Sequence, residues 1–202
     1  MLSRVFFIFF IMVGSFVFSI AAHATEGTLV SGIYEDLLIA RNTKTQEVTG
    51  YYNNQTGAGR FTCIFFLKGK IIADTAEIES YYPETPAELI KGKLIFTKPN
   101  VVTIALSEDH GGCWNVQHFA DKDQPALFSL EQAHENWNAI KIIKVKKAFF
   151  FDSADSKTHR KSFVVSGDAV GVVDEKKGWF RVEYIKAKKM TSGWIAKEYF
   201  YE

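Results

Sequence analysis

The chain has no internal repeat and no low-complexity tract. It also has no glycine-rich phosphate loop or dinucleotide fingerprint, so a nucleotide cofactor is not expected. No His-x3-His or Cys-x2-Cys spacing occurs, and His110, His118, His134 and His159 are scattered, so no metal site is expected either. Net charge is nearly absent at +1, and nucleic acid is not an expected partner. Beyond the first two dozen residues no stretch is apolar enough to span a bilayer.

The start of the chain is different. Met1 to Arg4 is a short basic segment, Val5 to Ile20 is apolar apart from Gly14, Ser15 and Ser19, and Ala22-His23-Ala24 is a small-x-small exit site. This predicts a secretory signal over residues 1–24, cleavage before Thr25 and delivery to the periplasm or beyond. No cysteine stands at the junction for a lipid anchor, and no basic residues follow the apolar run to hold it as a membrane anchor.

The near-neutral total hides an asymmetry. Residues 25–139 carry 9 Lys/Arg against 15 Asp/Glu, and residues 140–202 carry 14 against 8. The reversal near residue 140 predicts a domain boundary and gives the tail a bias toward anionic partners. Cys63 and Cys113 are the only cysteines. In an exported chain they are candidates for a disulfide, with two buried thiols as the alternative.

Short alternating segments joined by polar turns fill residues 25–120. Leu37–Arg41, Glu47–Tyr52, Arg60–Leu67, Ile71–Tyr81, Leu89–Thr97, Val101–Leu106 and Cys113–Phe119 all read as strands. In the strongest of them Phe61, Cys63, Phe65 and Leu67 share one face and Thr62, Ile64 and Phe66 the other, so both faces should be covered. Glu77 and Glu79 share a strand face that should meet solvent. The expected class is all-β: an antiparallel barrel or sandwich. Residues 121–139 read as a linker, with a short helix from Ser129 to Ile140 capped by Ser129 and Gln132.

Residues 140–202 carry three ordered landmarks: Gly167-Asp168-Ala169-Val170, then Gly178-Trp179-Phe180-Arg181-Val182, then Gly193-Trp194-Ile195. In this order they resemble the bacterial SH3-like family. The resemblance implies a small barrel filled by Val170, Val172, Trp179, Val182, Trp194 and Ile195. It also implies a ligand groove whose aromatics would be Phe151, Trp179 and Tyr199. Lys176, Lys177 and Arg181, with the cluster from Lys186 to Lys189, are candidates to meet an anionic polymer, a solvated hairpin face being the alternative. Trp179 and Tyr199 are equally compatible with a core position. Ala196 stands where eukaryotic members carry proline, which argues against proline-rich ligands. More loosely, Gly32-Ile33-Tyr34, Gly50-Tyr51-Tyr52 and Phe61-Thr62-Cys63-Ile64-Phe65 are similar in rhythm to lipocalin-like (calycin) barrels. That likeness implies a mouth near residues 53–59 and 107–112; a fully packed sheet is the alternative.

His110-Gly111-Gly112-Cys113-Trp114 is similar to the nucleophile region of papain-like peptidases. The residues after Cys113 alternate like a strand, however, whereas a low-pKa thiol needs a helix start and a histidine base. Catalysis is not expected. The expected function is an exported binding protein of the bacterial envelope, without cofactor, whose SH3-like module takes peptidoglycan or an envelope protein. An inhibitor or immunity protein against a lysozyme or amidase, and an accessory subunit of such a hydrolase, are the other expectations.

Overall fold

The computed structural model describes residues 27–154, 157 and 159–202. The expected signal segment, residues 1–24, lies outside them. The described chain is all-β, as its alternation predicts, with one short 3-10 turn at Lys197–Tyr199.

Nine strands form the first sheet: β1 (Gly32–Tyr34), β2 (Leu37–Asn42), β3 (Glu47–Thr56), β4 (Phe61–Ile72), β5 (Thr75–Tyr81), β6 (Ile90–Lys98), β7 (Val101–Leu106), β8 (Ala126–Ser129) and β9 (Gln132–Ala133). Each strand from β1 to β7 pairs antiparallel with the next, and β9 returns to pair with β1. Residues 126–133 therefore pair with β7 through their first half and with β1 through their second. Between the halves the Leu130 amide donates to the Asn100 carbonyl and the Glu131 amide to the Ile33 carbonyl. The meander thus curls until its ends meet on one continuous piece of chain, which protects both edges of the sheet.

That closing segment replaces the helix expected over Ser129–Ile140. The Ser129–Gln132 spacing is a local helix signal, but the alternation of buried Ala126 and Phe128 with exposed Leu127 and Ser129 fits a strand. Pairing with β7 on one side and β1 on the other satisfies the backbone groups of this segment and leaves no open edge to the sheet.

Alternation also sorts the side chains. Val48, Tyr52, Cys63, Phe65, Leu67, Ile78, Leu94, Val102 and Ile104 point inward and form one core, joined by Phe119 and Phe128. The Tyr52 ring lies 5.3 Å from Phe65, 5.0 Å from Phe119 and 5.6 Å from Phe128, so these side chains fill the interior where they meet. Phe61, the fourth member of the Cys63 face, is exposed at the end of β4. Glu77 and Glu79 face outward in register with Lys93 and Lys91.

The second sheet contains β10 (Ala139–Ile142), β11 (Ala148–Phe151), β12 (His159–Val164), β13 (Ala169–Lys176), β14 (Trp179–Lys186) and β15 (Lys189–Ala196), in the order β10-β13-β14-β15-β11-β12. Its own core contains Ile143, Ala148, Phe150, Val164, Val170, Val172, Val182, Ile195 and Phe200. The β13–β14 hairpin turns at Gly178, whose φ of 79° is strained for any residue with a Cβ.

A third apolar cluster joins the sheets. Ala40, Tyr51, Phe66 and Tyr81, on the outer face of the first sheet, pack against Trp137, Ile140 and Ile142. This explains why both faces of β4 are apolar. Trp137 is 1% exposed and stacks on His134 at 4.2 Å. Its indole N–H donates to Glu183 at 2.8 Å, and its carbonyl accepts from the Ser31 hydroxyl at 2.8 Å. Ser31 in turn accepts the Arg41 amide, and Thr49 accepts the Ile140 amide at 2.7 Å.

A Cβ on Gly171 would overlap the Trp137 indole. Replacing Gly171 with alanine is therefore expected to destabilise the chain by about 1–3 kcal/mol. A urea midpoint equal to that of the unaltered chain contradicts this packing.

Candidate functional site

Two surface features stand out, one on each sheet. The first follows from register. Residues paired across strands share a face, as do residues two apart along a strand. Asp174 pairs with Arg181, Arg181 with Trp194 and Trp194 with Phe151, while Lys176 pairs with Trp179 and Trp179 with Ala196. All of these side chains therefore stand on the outer face of the second sheet.

Phe151 and Trp179 meet edge to face at 5.0 Å, and the His159 ring lies 6.1 Å from Phe151. Beside them is an open hollow of about 420 Å³ lined by Asp152, Arg160, Asp174, Lys176, Arg181 and Trp194, among others. Trp194 forms its floor, 8% exposed, with the Lys176 ammonium 4.9 Å from its ring centroid. The Arg160 guanidinium holds the Asp152 carboxylate and donates to the Ser192 carbonyl at 2.7 Å. Three cations and two carboxylates over an aromatic floor suit an anionic or zwitterionic ligand with a flat or apolar face.

Of the expected binding residues, the fold brings Phe151, Trp179, Lys176 and Arg181 to this face. Tyr199 sits in the 3-10 turn that follows β15, half-buried against the core of the second sheet. Trp194 is buried and Trp179 half-buried, both outside that inner core, which Val170, Val172, Val182 and Ile195 help to fill. Asp152, Arg160, Asp174 and the outward-facing Trp194 were not marked by the sequence, because their assembly depends on the register among β11, β13, β14 and β15.

The second feature is the loop between β7 and β8. Cys63 and Cys113 form a disulfide, so Cys113 offers no free thiol as a nucleophile. The bond fits an oxidising compartment. The strand expected over Cys113–Phe119 is absent. The Val116 and Gln117 amides both donate to the Cys113 carbonyl, at 2.8 and 3.0 Å, making one tight turn. Polar alternation was present, but the disulfide pins Cys113 inward at Cys63 and the segment finds no partner strand.

The loop caps its end of the barrel. His110 is 3% exposed, stacks on Phe65 at 4.9 Å, and lies 2.9 Å from the Ser80 hydroxyl through Nε2. Phe119 enters the core. The Asp109 carboxylate accepts the Phe119 and Ala120 amides and meets His118 Nδ1 at 3.1 Å. The Thr56 hydroxyl donates to the Asn115 carbonyl at 3.0 Å, which ties the turn after Cys113 to the end of β3. Trp114 is 67% exposed, in T-shaped contact with the His118 ring.

Burial alone would raise the Asp109 carboxyl, but the Phe119 amide, His118 and the Ala120 amide together hold it below the ordinary carboxylate value. Burial lowers His110, opposed in part by Asp109, and burial lowers His134, opposed in part by Glu183. Among the described residues no three His, Cys, Asp or Glu side chains gather as a metal site needs. No helix among them is long and apolar enough to cross a membrane.

No family model, no curated protein and no solved structure matches the chain.

Reduction of the disulfide removes a constraint spanning 50 residues. It should cost at most about 4 kcal/mol in the chain-entropy model, read as a lower urea midpoint under dithiothreitol. An unchanged midpoint contradicts a structural role. Acid should also destabilise the chain. The native His110 and His134 resist a proton that the unfolded chain accepts below about pH 6.5. Their contribution is complete above that pH and falls as pH drops through it. Asp109 acts in the same direction at lower pH, its contribution being lost as pH falls from the ordinary carboxylate value through its depressed one. A midpoint that is flat or rising from pH 7.5 to pH 4 contradicts these assignments.

Proposed function

We propose that this chain is an exported, non-enzymatic binding protein of the bacterial envelope, and that its SH3-like second module takes the peptide stems of peptidoglycan. The observation that carries the proposal is the outer face of β13, β14, β15 and β11. Phe151 and Trp179 stand in edge-to-face contact there, beside the hollow that contains Lys176, Arg181 and Trp194. Solvent-facing aromatics backed by cations are a poor use of a surface unless something covers them.

The chemistry of the hollow matches peptide stems. Arg181 and Lys176 suit a carboxylate, Asp152 and Asp174 an ammonium, and the aromatics a d- or l-alanyl methyl or the face of a sugar. The disulfide is consistent with export, as is the signal-like start of the sequence. The linker and β10 are packed on the first sheet through Trp137, Ile140 and Ile142, so binding belongs to the intact mature chain rather than to an isolated module.

The test is co-sedimentation of the mature chain, residues 25–202, with purified sacculi. The unaltered chain should be retained, and Trp179→Ala and Arg181→Glu should each weaken retention by about tenfold or more, as loss of an interfacial anchor does. Absence of retention for the unaltered chain, against a wall-binding control, overturns the proposal. Retention that neither variant reduces places the contact elsewhere.

A further inference from the structure

The capped end of the first sheet carries a feature that the wall-binding reading does not use. Trp114 exposes 67% of its surface at the tip of the β7–β8 loop. A large apolar side chain so exposed carries a solvation cost, and on a mobile loop it would collapse onto the nearest apolar surface. Here the loop is held from four directions. The disulfide fixes Cys113 to β4, and the Cys113 carbonyl accepts two amides within the turn. Asp109 holds the far end through the Phe119 and Ala120 amides, and Thr56 holds Asn115. The His118 ring, bonded to Asp109, meets the indole in a T-shaped contact with the ring centroids 4.9 Å apart. Ordering was completed on folding, so little conformational entropy remains to be lost when the indole is covered.

The surroundings specify the partner's charge. Residues 107–123 contain Glu108, Asp109, Asp121 and Asp123 against Lys122. Glu108 and Asp121 are exposed and directly flank the Asp109–Ala120 contact at the base of the loop. A single protruding ring on a narrow turn cannot be covered on both faces by a flat surface; a cleft can cover it. An acidic collar at its base calls for a cationic rim around that cleft.

We infer that the Trp114 loop is a docking finger that enters the open cleft of a cationic protein, and specifically of a cationic polysaccharide-cleaving enzyme acting on the cell wall. The cleft of such an enzyme admits a sugar chain over apolar and aromatic floor residues, which an indole also satisfies. Its cationic surface complements the collar. The chain would then hold the wall with its second sheet and the enzyme with its first, on surfaces that share no residue.

The experiment titrates the mature chain against c-type, g-type and i-type lysozymes, reading inhibition of turbidity clearing and binding by calorimetry. At least one enzyme should be inhibited, with affinity falling between 50 mM and 500 mM salt. Trp114→Ala should weaken inhibition by about 30-fold or more, the loss that marks an interface hot spot. Its melting temperature should stay unchanged, because the ring is not part of the core. Trp179→Ala should inhibit as the unaltered chain does, which separates this surface from the wall-binding one. Absence of binding to all three enzymes overturns the inference. So does inhibition that survives Trp114→Ala, or that Trp179→Ala abolishes equally.

Discussion

The Trp137 indole lies against the backbone of Gly171 with no room for a side chain there, and this contact seats the connector between the two sheets on the second of them. Trp137 belongs to the connector that leaves the closing strand of the first sheet. Gly171 belongs to β13, near the middle of the second. His134 stacks on one side of the indole, Glu183 takes its N–H, and Ser31 takes its carbonyl. A ring buried with its polar group satisfied contributes burial without an unpaired donor. Around it Tyr51, Phe66 and Tyr81 lend the outer face of the first sheet to Ile140 and Ile142.

That joint has a consequence for charge. An acidic first part and a basic second part would attract at low salt, yet the contact between the sheets is predominantly apolar. Where Lys141 does enter it, burial lowers the ammonium while Glu175, Glu202 and Glu47 oppose the shift. The opposite charges are therefore left largely at the surface. The cationic hollow over Trp194 and the acidic collar around Trp114 lie on different sheets, one suited to an anionic ligand and the other to a cationic one.

Strand content and the two-sided burial of β4 were legible in the sequence because alternation is a local property with a period of two. The Cys63–Cys113 pairing was legible because only one pair exists. The helix expected at Ser129 and the strand expected after Cys113 both failed for the same reason. Each rested on a local pattern, and in each case a distant partner decided the backbone: β1 and β7 for the closing segment, Cys63 for the loop. Tyr199 shows the limit at the level of a single side chain, since nothing local distinguishes a ring that faces a groove from one that packs beneath it.

By itself, then, the sequence determined the class of fold, the one pair of cysteines available to bond, and the aromatic and basic character of the C-terminal strands. These follow from composition and from periodicities that a short window contains. Tertiary structure alone decided that Trp194 faces the hollow rather than the core, that Arg160 and Asp174 join it, and that Trp114 is presented at a rigid tip. Those outcomes depend on strand register and on contacts between residues far apart in the chain. A shift of one residue in pairing exchanges the two faces of a strand, and no local pattern in β15 states which face its neighbours will leave open.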